Sequence, residues 1–183
     1  MGVREDRLQS EYEAMQKFRS DVVTWETIGR GHPPDHYRIS YHLRSFQSFD
    51  AQGNPQIVEQ VWKVDIKMPP NYPWGKPEAS FVGTPVYHPN VWKIGDICIE
   101  DQYEAGIGIP LDVLCEHIGK IIAYQEYNLG SPANDDDQLV DWITHFGESM
   151  LPTDPRNIRK AQISFGELSR TTEPPRPKIK FGP

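Results

Sequence analysis

Val61-Trp-Lys-Val-Asp-Ile-Lys-Met-Pro-Pro-Asn-Tyr-Pro-Trp-Gly-Lys-Pro-Glu-Ala-Ser-Phe81 is the stretch whose reading decides the fold. Trp62, Val64 and Ile66 alternate with Lys63, Asp65 and Lys67, the period of a half-buried strand. Met68–Pro77 is too rich in proline to continue it, and Ala79–Val82 is a shorter strand candidate beyond. Upstream, Val58 lies on the same face as Trp62, after the turn-rich Asp50–Pro55. Before that turn, Tyr37, Ile39, Tyr41 and Leu43 alternate with Arg38, Ser40, His42 and Arg44, and Val22–Ile28 is β-branched and aromatic. Short connections between such strands predict an antiparallel meander of about four strands. On either side the period is helical. Leu8, Tyr12, Met15, Phe18 and Val22 mark a helix over residues 4–22. Leu111, Leu114, Cys115, Ile118, Ile121 and Ile122 mark a second, to about Tyr124, and Leu139, Trp142, Ile143, Phe146 and Met150 mark a third. The order predicts an α+β domain with an N-terminal helix, the meander and C-terminal helices.

The 183 residues carry 19 Lys+Arg against 26 Asp+Glu, a net charge of −7, which argues against a nucleic-acid partner because phosphate contacts need concentrated positive charge. No apolar run approaches the roughly 20 residues that span a bilayer, and residues 1–25 are charged rather than signal-like, so the expectation is a cytoplasmic protein without membrane contact. Two cysteines make neither a disulfide framework nor a Cys-rich zinc site, and His32, His36, His42, His117 and His145 lack metal-ligand spacing, so no metal is expected. No glycine-rich phosphate loop is present, and no cofactor is expected. Residues 152–183 hold seven Lys+Arg against three Asp+Glu and six of the 17 prolines. This composition predicts a folded domain over 1–151 and a basic, Pro-rich tail over 152–183, either solvated or a docking arm for an acidic partner.

The chemistry-bearing segment is Tyr87-His-Pro-Asn-Val-Trp-Lys-Ile-Gly-Asp-Ile-Cys-Ile-Glu100. Ile97 and Ile99 flank Cys98, a setting that allows the backbone to pack while the sulfur faces out. Glu100 and Asp101 follow it, and nearby carboxylates disfavour a thiolate. Such a thiol is a poor protease nucleophile but suits exchange with an already activated thioester. The plain alternative is a buried structural thiol, the role expected of Cys115 on its helix stripe.

His88-Pro89-Asn90, with Cys98 eight residues after the asparagine, resembles the active-site signature of ubiquitin-conjugating enzymes, and residues 61–81 resemble the strand, Tyr-Pro turn and strand that precede it in that family. The resemblance implies the family's fold. It also implies that Cys98 accepts the C-terminus of ubiquitin or a ubiquitin-like modifier from an activating enzyme as a thioester, then yields it to an amine of a protein substrate, lysine first. Asn90 would stabilise the oxyanion or hold the active-site loop. His88 would be structural, bonding within the turn, with Pro89 fixing the backbone. Alignment of Ser131-Pro132 with the family's Asp-Pro puts Asp136, with Asp135 next, where an acid near the nucleophile assists the incoming lysine. A plain acidic cluster at a helix N-terminus is the alternative. Trp74 matches a ligase-contacting aromatic and is a candidate partner-binding residue or a core cap. The family's Trp-Ser-Pro after the cysteine is replaced by Tyr103-Glu-Ala-Gly-Ile-Gly-Ile-Pro110, which leaves a ligase uncertain. This divergence is similar to that of bacterial ubiquitin-conjugating-like proteins with dedicated activating enzymes, some of them in phage defence. Two other readings stay open: an inactive modifier-binding module of the same fold, and a cysteine hydrolase using Cys98 and His88.

Overall fold

The structure, a computed structural model, describes residues 2–99, 108–134, 137–147 and 150–160. Helix α1 (Val3–Lys17) leads into four strands, β1 (Val23–Thr27), β2 (His36–Phe49), β3 (Pro55–Lys67) and β4 (Glu78–Phe81), followed by α2 (Leu111–Ile122) and α3 (Asp137–Phe146). The strands form one sheet in chain order, antiparallel throughout. It is the predicted meander, in an α+β fold. The alternation in the sequence sets the register: Tyr37 faces Ile66, Ile39 faces Val64 and Tyr41 faces Trp62, all on the buried side. Leu111, Leu114, Ile118 and Ile121 of α2 and Leu8 and Met15 of α1 belong to the same core. Cys115 is buried with them, its Sγ 3.9 Å from Met15 Sδ. Among the described residues, no helix is long and apolar enough to cross a membrane, and no three His, Cys, Asp or Glu side chains are grouped to hold a metal.

The first helix ends five residues short of its apolar pattern. Phe18 turns extended (φ −63°, ψ 126°), and Ser20 Oγ accepts from the N–H groups of both Val22 and Val23 at 3.1 Å. This serine turn gives the backbone a local alternative to another helical turn, while Phe18 and Val22 still reach the core. The third helix also buries less than its pattern suggests. Leu139 and Ile143 are buried, Trp142 is half-buried, and Phe146 and Met150 are exposed, because the helix stops before Gly147 (φ 71°).

Glu11 sits on the buried stripe of α1 between Leu8 and Met15 and is 2% exposed. A carboxylate there is tolerated only with donors around it. Tyr72 Oη donates to Oε1 at 2.6 Å, the Leu111 N–H donates to Oε2 at 2.6 Å, and Arg7 Nε pairs with Oε1. Leu111 opens α2, so the carboxylate also meets the positive end of that helix. One side chain thus joins α1, the proline-rich turn and α2.

The expected boundary at residue 151 falls inside the packed structure. Residues 151–160 form a strap. At Arg44 of β2, beyond the last β1 pairing, Asp154 Oδ2 accepts from the backbone N–H at 2.9 Å, and the Asp154 N–H donates to Ala123 O at 2.9 Å. Ile158 enters the core over Gly119, where a Cβ would lie 2.5 Å from Ile158 Cγ2. Arg159 lies over the Phe18 ring and pairs with Asp112 and Glu116 at 2.9 and 2.7 Å, and Lys160 pairs with Asp21 at 2.6 Å. Composition marks this stretch as basic and Pro-rich, but one isoleucine and one aspartate anchor it. Residues 161–183 lie outside the described residues.

Two unfolding experiments check these joints. Glu11→Ala strands the Tyr72 hydroxyl and the Leu111 N–H and should cost about 3 kcal/mol in urea unfolding, more than Glu11→Gln. Ile158→Ala should cost about 2–4 kcal/mol, and Gly119→Ala should destabilise less in the Ile158→Ala background than in the parent.

Candidate active site

After β4 the chain runs to a turn at His88, closed by the Val91 N–H donating to His88 O at 3.0 Å. A tight hairpin follows. Val91 bridges Ile97, the Trp92 N–H donates to Asp96 O at 2.9 Å, and the tip turns through Gly95 at φ 99°. The next pair out is Asn90 and Cys98, joined by the Cys98 N–H donating to Asn90 O at 2.8 Å. The eight-residue spacing is therefore the length of a hairpin that returns the cysteine beside the asparagine. Its second arm is sewn to β4 by Ile97 N–H to Ala79 O and Phe81 N–H to Gly95 O, each 2.9 Å.

Cys98 is 3% exposed, between buried Ile97 and Ile99. This corrects the expectation of an outward sulfur: both neighbours and the cysteine pack together, because the hairpin lies against β4 instead of alternating into solvent. Cys98 nevertheless lines a groove of about 370 Å³ that also includes Lys76, Glu78, Ser80 and Asp96. Glu100 and Asp101 lie outside the described residues.

Asn90 is buried and used three ways. Its N–H donates to His88 Nδ1 at 3.0 Å, its carbonyl accepts from Cys98, and its side-chain Oδ1 accepts from the Asn128 N–H at 2.8 Å. With Oδ1 engaged, Nδ2 is the donor that this side chain has to offer a developing negative charge. Asn128 begins the loop leading to α3, in which the Ser131 N–H donates to Asn128 O and Asn134 Nδ2 to Leu129 O. Asp135 and Asp136 lie outside the described residues.

His88 is 2% exposed, edge-on to Tyr124 with ring centroids 4.5 Å apart. Because Nδ1 accepts from Asn90, Nε2 carries the proton. Burial pushes the imidazole pKa down to about 3, with the Glu126 carbonyl opposing. A ring so weakly basic, with its lone pair spent inside its own turn, does not deprotonate Cys98. Tyr124, which sequence reasoning missed as a site residue, supports this ring: its backbone is left-handed (φ 54°) and its hydroxyl donates to Tyr87 O. Glu126 and Asn128 were missed as well, and nothing in residue type or period distinguishes them. Trp74 is 63% exposed on the turn after Tyr72, which excludes a core cap.

The buried imidazole also sets a pH dependence. The unfolded chain binds a proton below about pH 6.5 that the folded chain refuses until about pH 3, so stability is lost as pH falls through that window. Between pH 7 and pH 4.5 this group should remove about 2 kcal/mol from the unfolding free energy. His88→Asn, whose Oδ1 replaces Nδ1 as acceptor, should flatten the urea-midpoint profile over that range.

The ubiquitin-conjugating enzyme family model matches residues 51–105, from the β2–β3 turn through the Cys98 hairpin. The ubiquitin-conjugating enzyme E2 of African swine fever virus is 27% identical over 57% of this chain and 52% of its own length. The ubiquitin-conjugating enzyme E2 pex4 of Dictyostelium discoideum is 29% identical over 71% of this chain and 80% of its own. The chain thus spans about half of the viral relative. In fold it is similar to a ubiquitin conjugating enzyme E2 from Plasmodium falciparum (TM-score 0.51, 22% identity, 67% of this chain and 85% of that one). It is also similar to UbcA1 from Agrocybe aegerita (TM-score 0.51, 16% identity, 74% and 92%). Over residues 51–105 the chain is similar to the ubiquitin-conjugating enzyme family, and its sheet topology is similar to that of solved ubiquitin-conjugating enzymes.

Proposed function

We propose that this chain accepts ubiquitin or a ubiquitin-like modifier from an activating enzyme as a thioester on Cys98 and transfers it to an amine of a protein substrate, lysine first. The observation that carries the reading is the hairpin pairing of Cys98 with Asn90, with Cys98 itself lining a groove. In the loading step the Cys98 thiolate attacks the modifier's thioester carbonyl, and the activating enzyme's thiolate leaves. In the second step a neutral amine attacks, Cys98 leaves as thiolate, and the amine's extra proton passes to a base. Asn90 Nδ2 is the donor for the oxyanion of the intermediate in this second step. Asp136 is the proposed acid–base residue for a lysine that is otherwise protonated at neutral pH. Trp74, exposed on its turn, is the proposed contact for a ligase or other partner. The divergence after Cys98 supports a dedicated partner set, as in bacterial antiphage conjugation systems. One observation favours a second reading, a modifier-binding module without catalysis: the near-complete burial of Cys98.

Incubation with ATP, the activating enzyme and the modifier separates the two. The proposed carrier gives an adduct that reductant cleaves, and Cys98→Ser gives a reductant-stable oxyester. Asn90→Ala should slow discharge to lysine by about 10²–10³-fold, and Asp136→Ala should slow discharge more than loading. A folded wild-type protein that never loads leaves the binding module.

A further inference from the structure

The end of α2 carries a clamp that the carrier reading leaves unused. Tyr124 reverses the chain, and the N–H groups of Gln125 and Glu126 both return to Lys120 O, at 2.9 and 3.3 Å. The Glu126 carboxylate is then taken on both oxygens by the helix just left: His117 Nδ1 lies 2.8 Å from Oε2 and Lys120 Nζ 3.1 Å from Oε1. Burial alone would raise the Glu126 pKa, but the contacts from Lys120 and His117 outweigh it and hold the group below the usual range. Only Tyr127 separates Glu126 from Asn128, whose N–H holds Asn90 Oδ1. The Glu126 backbone also opposes the lowering of the His88 pKa by burial.

We propose that Glu126, gripped by His117 and Lys120, is a positioning residue for Asn90: it fixes the 125–128 segment so that the Asn128 N–H engages Oδ1 and Nδ2 is left directed for the reaction. The structural half of this stands on the contacts alone, and the kinetic half rests on the carrier reading. Glu126 is partly exposed, so its role is one of placement rather than global stability. Its effect must then pass through Asn90 and vanish when that side chain is removed.

The test pairs hydrogen exchange with transfer kinetics. The Asn128 amide should be protected in the parent, and Glu126→Ala should raise its exchange rate about tenfold while shifting the melting temperature by less than about 2 °C. Glu126→Gln, which still accepts from Lys120, should restore part of the protection. Cys98 loaded by exchange with a ubiquitin C-terminal thioester should discharge to free lysine about fivefold more slowly in Glu126→Ala, with the loading rate unchanged. In an Asn90→Ala background the same substitution should have no further effect. Unchanged Asn128 exchange overturns the proposal, as does equal slowing with and without Asn90. If ubiquitin never loads onto Cys98, the carrier reading fails for this modifier, and the exchange arm still decides whether Glu126 holds Asn128.

Discussion

Asn90 is the constraint around which the site is arranged. Its N–H, its carbonyl and its side-chain oxygen each hold a different piece of irregular chain: the His88 ring, the Cys98 strand and the loop after α2. None of these pieces belongs to a helix or a long ladder, so regular hydrogen bonding does not fix their relative positions. A buried asparagine whose N–H, carbonyl and side-chain oxygen are all engaged fixes all three. The nucleophile candidate and the loop toward α3 are therefore referred to a common origin, which is the geometric precondition for chemistry between them.

Glu11 applies the same logic at the other end of the domain. The sheet and helices have apolar faces that meet by burial, but burial is not directional and does not say where the start of α2 sits relative to the turn at Tyr72. A carboxylate with donors from α1, that turn and the first residue of α2 supplies the direction. The strap repeats it with Asp154, whose side chain meets β2 while its backbone holds the end of α2. At each joint a buried acid or amide does what a longer ladder would do elsewhere.

The elements built on periodicity were legible in the sequence. Alternation at Tyr37–Leu43 and Trp62–Ile66 gave the strands and, because register follows the buried face, their pairing. The Asn90 to Cys98 spacing marked the site, and the structure shows that spacing to be a hairpin. What the sequence hid were single-residue decisions. Ser20 ends α1 through one hydroxyl, although Phe18 and Val22 continue the apolar stripe. Ile158 is one apolar residue in a basic stretch, and it is recognisable only opposite Gly119, whose missing side chain leaves its space. The burial of Glu11 goes against its residue type, and only its position between Leu8 and Met15 on the buried stripe signals it. The orientation of Cys98 was misread because its isoleucine neighbours suggested alternation, whereas the whole segment lies down on β4.

The state of His88 bears on how work would be divided in the proposed reaction. Loading exchanges one thiolate for another and leaves the proton count of the site unchanged, whereas attack by an amine releases a proton that some group must take. The imidazole beside the hairpin is the wrong group: it is buried, bonded within its turn and held neutral across the physiological range. The imidazole thus supplies no base, and among the described residues the carboxylates that share the groove with Cys98 are Glu78 and Asp96. In the proposed reaction the base comes with the acceptor, from these groove carboxylates, or from the approach to α3, where Asp135 and Asp136 stand in the sequence. A site arranged this way separates loading from discharge by their demand for a proton. The carried modifier would stay on the thiol until an acceptor arrives in a place where its proton can leave.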